Sequence, residues 1–364
     1  MPLKRAQKKR IFVGLSGGVD SSVSALLLQK QGYNVTGVFI KVWQPDFLTC
    51  TWQDDRRDAM RICAHLNIPF KTLDLSDVYK REVVDNMLTE YKKGRTPNPD
   101  IMCNRSVKFG AFLDFAKKEG ADAVATGHYA QIFNTKGELG LYSSADVEKD
   151  QTYFLWQLKG SDLRSIIFPV GHLEKRETRK IASEGGLVTA EKSDSQGLCF
   201  LGKLDMKEFL SHFIDEKQGD VLLRGGEKIG KHRGVIFYTL GERHGFTITK
   251  SGIKGPLYVI EKNNGKNQLI VDSTPFCESI SNNVTLTAVN WIGEAPLVGK
   301  MYLARIRHRG NLLPVVMKSN HEKLAKIEFS RVESLIAKGQ SIVLYEARVD
   351  GKEGLRCVGG GIVL

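Results

Sequence analysis

The fragment Leu15-Ser16-Gly17-Gly18-Val19-Asp20-Ser21-Ser22 puts two glycines, one aspartate and three hydroxyls into eight positions. Glycines let the backbone approach an oxyanion closely, and the amino end of a helix offers unpaired N–H groups and partial positive charge. Ser16, Ser21 and Ser22 add hydroxyl donors. Asp20 repels phosphate, so its presence makes sense if it holds Mg2+ beside the anion. Ser16, Asp20 and Ser21 are also ordinary helix-cap types, but a cap accounts for one polar side chain and not for this density. The loop is read as a phosphate grip. It lacks the lysine of a Walker loop. The near match Gly225-Gly226-Glu227-Lys228-Ile229-Gly230-Lys231 is followed by His232, where Ser or Thr must reach a metal, and it precedes a strand-like run. That segment reads as a glycine-rich turn.

Two cysteines stand in polar surroundings. Cys103 follows Arg95-Thr96-Pro97-Asn98-Pro99-Asp100, whose two prolines forbid a regular helix, so the segment reads as a stiff loop ahead of a helix over 105–118. A thiol near a helix amino end and beside Arg105 is expected to be partly thiolate, with Asp100 as a candidate acid/base group. Cys199 lies in the loop Lys192-Ser193-Asp194-Ser195-Gln196-Gly197-Leu198-Cys199, just before Phe200 and Leu201. Taken singly, a cysteine of this kind is more often an inert core thiol. Cys50, Cys63, Cys277 and Cys357 are scattered, with no Cys-x-x-Cys pair, and Cys63 and His65 do not converge on one metal. Neither a disulfide scaffold nor a zinc site is expected.

The elements that must carry these groups alternate. Apolar or β-branched runs at 11–15, 34–40, 70–75 and 121–125 read as strands. Helical spacing follows residue 19 and recurs at 56–66, 77–91 and 105–118. This implies an α/β unit, a parallel sheet with helices on both faces, whose ligand crevice lies beyond the carboxyl ends of the strands. Ser16–Ser21 and Thr126-Gly127-His128 each follow a strand end and should face it together. After about residue 215 the helical period fades. Short β-rich runs at 234–238, 257–260, 269–271, 284–289, 302–306 and 341–347 predict a small central β-rich module and a C-terminal antiparallel barrel or sandwich. The expected boundaries are 1–215, 216–275 and 276–364, with Ser273-Thr274-Pro275 as the second break.

A chain of 364 residues, 41% apolar, has room for two or three domains with real cores. Lys and Arg number 53 against 41 Asp and Glu, a net +12, which points to nucleic acid first, an anionic membrane second, or simple solubility. Lys4, Arg5, Lys8, Lys9 and Arg10 form a basic tail, read as solvated, as a nucleic-acid arm or as a targeting remnant. There is no bilayer-length apolar run and no signal-peptide core, so a soluble, cytoplasmic protein is expected.

The Ser-Gly-Gly-x-Asp-Ser pattern resembles the PP-loop of the ATP pyrophosphatases. That resemblance implies ATP cleaved between its α and β phosphates, adenylation of a substrate oxygen, and loss of pyrophosphate. The two cysteine segments together are similar to those of the tRNA-specific 2-thiouridylases. So are Ala125-Thr126-Gly127-His128-Tyr129, Lys149-Asp150-Gln151-Thr152-Tyr153-Phe154-Leu155, Phe168-Pro169-Val170-Gly171, Tyr238-Thr239-Leu240-Gly241 and Gly359-Gly360-Gly361-Ile362. The resemblance runs from about residue 11 to the end.

The family implies the following for this chain. ATP sits on Gly14, Leu15, Ser16, Gly17, Gly18, Val19, Asp20 and Ser21, with Ile40 and Gly127 near the adenosine, and Mg2+ accompanies it through Asp20. The wobble uridine of tRNA is flipped into the crevice, against Asn98, Pro99 and Asp100. Its O2 is adenylated. Cys199 carries a persulfide from a sulfur-donor protein. Cys103 either attacks C2 or releases sulfide by forming a disulfide with Cys199. Asp100 is the acid/base. His128, Lys149, Asp150, Gln151, Arg307, His308 and Gln340 match tRNA contacts; the family commonly has Tyr at 308 and Gln at 310, where this chain has His308 and Gly310. The rival readings are another PP-loop enzyme, such as an amide ligase or a different tRNA thiolase, and a nucleic-acid-binding protein whose nucleotide loop only regulates. A glutamine-hydrolysing ligase would need a second nucleophile domain, of which the β-rich half gives no sign.

Overall fold

A computed structural model describes residues 8–48, 52–135, 137–194, 197, 199–202, 204–253, 255–274, 282–331, 336–348 and 354–364. Lys4, Arg5, Cys50, Ser195, Pro275 and Cys277 lie outside the described residues.

Strand β1 (Arg10–Gly14) buries Ile11 and Val13 in one core and Phe12 in another. Apolar residues on both faces of one strand require cover on both sides of the sheet. The first core is covered by α1 (Val19–Lys30), α2 (Trp52–His65) and the helix Lys175–Glu184. The second core is covered by two longer helices. One runs Ser76–Tyr79, Lys80–Asp85 and Asn86–Lys92 without a break; the other runs Pro99–Met102, Cys103–Ala111 and Phe112–Lys118. The remaining strands are β2 (Asn34–Lys41), β3 (Phe70–Asp74), β4 (Ala123–Ala125), the hairpin β5 (Gln131–Thr135) and β6 (Glu138–Tyr142), and β7 (Ile166–Ile167). The parallel sheet has the order β3-β2-β1-β4-β7. The chain winds outward from β1 in both directions, so the crevice opens between the ends of β1 and β4.

Two expectations are corrected. The helix expected over 105–118 begins six residues earlier. Asn98 caps it, accepting from the N–H groups of Asp100 (3.2 Å) and Ile101 (3.4 Å), and Pro99 occupies its first position. Proline is at home there because that N–H has no helical partner. Cys103 therefore lies within a helix and not in a loop. Secondly, the run 234–238 is not a strand: Gly234 has φ +146° and Phe237 N–H bonds back to its carbonyl at 3.1 Å, making a tight turn over Val235–Phe237.

The central sheet comprises β8 (Gly219–Leu223), β9 (Lys228–His232), β10 (Thr247–Ile248), β11 (Tyr258–Asn263) and β12 (Gln268–Asp272), in the order β10-β9-β8-β12-β11. The last six strands are β13 (Asn283–Trp291), β14 (Met301–Arg305), β15 (Leu313–Asn320), β16 (Leu324–Phe329), β17 (Ser341–Ala347) and β18 (Leu355–Val363). All pair antiparallel, and β13 pairs with β18 to close a barrel around Leu286, Val315, Ile327 and Ile342. Closure removes the unpaired sheet edges. Strand β6 pairs with β18 at Tyr142 and Leu141, so the parallel-sheet unit lends a hairpin to the barrel wall.

Candidate active site

Leu15 to Ser21 leave the end of β1 and enter α1. Gly17 holds φ +73°, and a Cβ there would stand 2.5 Å from the Asp55 carbonyl oxygen. A Cβ on Gly127 would stand 2.6 Å from the backbone nitrogen of Ser21. Only glycine allows the loops after β1 and β4 to meet at this distance. Ser16 is exposed; Ser21 Oγ lies 3.3 Å from its Oγ and 3.1 Å from the Gly18 carbonyl. Gly18 caps α1 in an extended conformation, with no side chain over the N–H groups of the first turn. That arrangement suits phosphate oxygens. Ile40 is buried at the end of β2.

Asp20 Oδ1 receives Lys175 Nζ at 2.6 Å and the Tyr129 hydroxyl at 3.0 Å. Lys175 also meets Asp194 at 2.9 Å, and Asp194 takes Lys149 and Arg179 at 2.7 Å each. Although part-burial works against its charge, Lys149 and Lys175 hold the Asp194 carboxyl down to about 2. The segment that leads to Cys199 is thereby pinned to the phosphate loop through Lys175. Sequence reasoning missed Lys175, because nothing local marks it.

The helix Pro99–Lys118 and the Cys199 loop bring the two thiols together. Cys103 Sγ donates to Cys199 Sγ at 3.4 Å across 96 residues of chain. Both are free thiols. Asp100 Oδ1 accepts from the Cys199 N–H at 3.0 Å, and the Tyr79 hydroxyl donates to the Cys199 carbonyl at 2.8 Å. Phe200 holds φ +67°, an uncommon conformation for a bulky residue, which turns the backbone sharply just after the thiol.

The expected thiolate is the wrong cysteine. Burial pushes Cys103 well above its ordinary value, and its bond to Cys199 adds to that. Cys199 is lowered: the Cys103 S–H donates to it and Lys108 faces it, together outweighing burial. Arg105 is on the exposed side of the helix and does not face the pair. Burial raises Asp100, against the opposing pull of the Cys199 N–H and Lys108. Cys63 and Cys357 are buried, and burial raises both thiols, that of Cys63 to about 11.

The residues matching tRNA contacts are differently placed. His128 is buried, with Nδ1 2.7 Å from Thr126 Oγ1 and Nε2 3.4 Å from Lys108 Nζ; burial, then Lys108, holds it well below its ordinary pKa. Lys149 is paired with Asp194, and Gln151 Oε1 accepts from Tyr129 N–H at 2.9 Å. Asp150 is buried, held by Arg305 Nη1 at 2.7 Å, the Thr152 hydroxyl at 2.8 Å and the Ser144 N–H at 3.2 Å. Arg307 is exposed; His308 stacks obliquely on Phe154 at 4.5 Å; Gln340 is half-buried. Asn98 and Pro99 form the helix cap beside Asp100.

Among the described residues no helix is long and apolar enough to cross a membrane. Family models match residues 9–203 (tRNA methyl transferase HUP domain), 207–273 (tRNA methyl transferase PRC-barrel domain) and 281–363 (aminomethyltransferase beta-barrel domain). The chain is 41% identical over 364 residues to "tRNA-specific 2-thiouridylase MnmA" of Alkaliphilus oremlandii, covering 99% of this chain and 98% of that protein. It is 42% identical over 368 residues to the protein of the same name from Shouchella clausii, covering 99% and 98%. A solved 4-thiouridine synthetase–RNA complex with bound ATP is similar at a TM-score of 0.38 and 22% identity, over 56% of this chain and 50% of that one. Identity at this level over almost the whole length places the chain in the tRNA-specific 2-thiouridylase family.

Proposed function

We propose that this chain is an ATP-dependent sulfurtransferase that replaces O2 of the wobble uridine in tRNA with sulfur. The observation that carries the reading is the contact of Cys103 with Cys199, one thiol raised and the other lowered, with Asp100 on the backbone of the second. A phosphate grip and a thiol pair within one crevice fit activation of an oxygen followed by its displacement by sulfur. The methyl transfer named in the family description gives neither feature a role.

ATP would lie along Gly14–Ser21, with its adenosine toward Ile40 and Gly127. Mg2+ suits Asp20, since one carboxylate beside phosphate oxygens is a usual set for this ion and Lys175 and Tyr129 engage only Oδ1. When bound, Mg2+ supplies charge neutralisation at the phosphates. The uracil O2 attacks the α phosphorus and pyrophosphate leaves. Cys199, the more acidic thiol, takes sulfur from the persulfide of a donor protein. Sulfur then bonds to C2 and the C2–O bond breaks as AMP departs. Cys103 serves either as the nucleophile on C2 or as the thiol that frees sulfide by forming a disulfide with Cys199. Asp100, beside the base, moves the proton. The net charge of +12 suits a tRNA partner in the cytoplasm, with Arg307 and His308 on the barrel at its surface.

The test is wobble-uridine 2-thiolation of tRNA with ATP, Mg2+ and a persulfide donor. Cys103→Ala and Cys199→Ala should each abolish thiolation and leave ATP binding intact. Full activity in the double alanine variant would overturn the reading.

A further inference from the structure

Lys108 sits five residues after Cys103 on the same helix. In a regular helix five residues turn through about 140°, which would set the two side chains on different faces. Here the helix is widened over Cys103–Ala111, and the Phe112 N–H bonds the Val107 carbonyl five residues back. Such i→i+5 turns gather at functional sites. The widening brings Lys108 round toward the sulfur pair.

The surroundings of this ammonium are unlike those of the other lysines near the site. Lys149, Lys175 and Lys192 each face carboxylates. Lys108 instead meets His128 Nε2 at 3.4 Å and lies over the ring of Phe200, the residue after Cys199, at 5.6 Å from its centre. The imidazole must be neutral to accept this bond, and its Nδ1 then donates to Thr126 Oγ1 at 2.7 Å. Thr126 and His128 thus orient a cation toward the Cys199–Phe200 segment. Burial alone would discharge Lys108, but Cys199, Cys103 and Asp100 keep it charged.

We propose that Lys108 is a catalytic residue of sulfur transfer, whose ammonium neutralises Cys199 first as the thiolate that accepts sulfur and then as the persulfide anion. The proposal rests on the reading of Cys199 as the sulfur carrier. In loading, the Cys199 Sγ forms a bond to the outer sulfur of the donor's persulfide. The donor's S–S bond breaks, and its electron pair leaves with the donor thiolate, which takes a proton from solvent. Charge on Cys199 is present before this step and remains on the deprotonated product, so one fixed cation serves both states. The groups facing Cys199 are Asp100, Cys103 and Lys108 from one helix, Tyr79 from the helix before it, and His128 behind Lys108. Asp100 opposes a thiolate, Tyr79 bonds only the carbonyl, and His128 is neutral; Lys108 is the cation of the set.

The experiment is the pH profile of iodoacetamide alkylation of Cys199 in the full chain, read site by site by mass spectrometry. Lys108→Met and Lys108→Gln should raise the midpoint by a unit or more, so that alkylation at pH 7 slows about tenfold. Lys108→Arg, which keeps the charge, should stay near the parent profile. Thermal melting verifies that each variant is folded, and the arginine variant decides if both neutral ones are not. An unmoved midpoint in a folded neutral variant overturns the proposal, as does an arginine variant shifted as far as the neutral ones. Thiolation by the unaltered protein is measured alongside. If it thiolates tRNA while the midpoint stays put, only the role of Lys108 falls; if it does not thiolate, the function proposed above falls instead.

Discussion

Burial and a shared proton make Cys103 the donor and Cys199 the acceptor of the pair, and Asp100 works against the acceptor's charge while holding its backbone. Asp100→Asn keeps an oxygen for the Cys199 N–H and removes the negative charge. The expected result is that Cys199 alkylates no more slowly than in the parent, while tRNA thiolation falls at least about 100-fold, the usual scale for losing an acid/base group. Slower alkylation would mean that the carboxylate supports the thiolate after all. His308 gives a pH-dependence of a different kind. Burial, then Arg309, lowers it from an ordinary 6.5 to about 4. Between those values the unfolded chain binds a proton that the folded chain refuses. Stability contributed at neutral pH is therefore lost as pH falls through that window. The urea midpoint should drop more between pH 7 and pH 5 for the parent than for His308→Phe; equal drops would contradict the assignment.

Two elements set the site, and each depends on one local feature. The loop after β1 needs the left-handed Gly17, where a Cβ meets the Asp55 carbonyl. Gly17→Ala should cost about 1–3 kcal/mol of strain or shift the loop, and weaken ATP binding by more than tenfold in calorimetry. The helix that carries Asp100, Cys103 and Lys108 starts at the Asn98 cap. Asn98→Ala should lower stability by about 0.5–2 kcal/mol in urea unfolding. If Asn98 also contacts the base, thiolation falls further than the lost stability explains, and a wild-type rate at saturating tRNA would confine it to the cap.

Across the whole molecule, the barrel is tied to the catalytic unit by the β6–β18 pairing and by the Asp150–Arg305 pair, whose side chains are 2% and 10% exposed. The Tyr153 hydroxyl adds a bond to the Ser341 carbonyl at 2.9 Å, and Asn290 Nδ2 reaches the Trp156 carbonyl at 2.7 Å. Asp150→Ala strands a buried guanidinium and should destabilise the protein by about 3–5 kcal/mol. Adding Arg305→Ala should recover part of that loss in a double-mutant cycle of unfolding. Strictly additive losses would show that the pair is not coupled. In this arrangement Asp150 ties the loop that carries Lys149 and Gln151 to the barrel.

Period and composition were enough to reveal the α/β unit, since Ile11, Phe12 and Val13 must be covered on both sides wherever the helices lie. They also revealed the phosphate loop, because Gly17, Gly18 and the serines act within a few residues of one another. Motif order led to the two cysteines and Asp100. What the sequence left hidden is non-local. Prolines at 97 and 99 read as helix breakers, yet Asn98 and the first-position tolerance of Pro99 start a helix there. Lys108 is five residues from Cys103, a spacing that a 3.6-residue turn sends elsewhere, and only the widened turn returns it. The closing of the barrel depends on contacts across roughly 70 positions, and the loan of the β5–β6 hairpin and the Asp150–Arg305 pair on contacts across roughly 150 to 215. The acidity of Cys199 over Cys103 was likewise decided by tertiary structure. Both thiols have polar neighbours in sequence, and the hydrogen bond that Cys103 donates to Cys199 in the folded chain determines which of them keeps the charge, with Lys108 beside the pair.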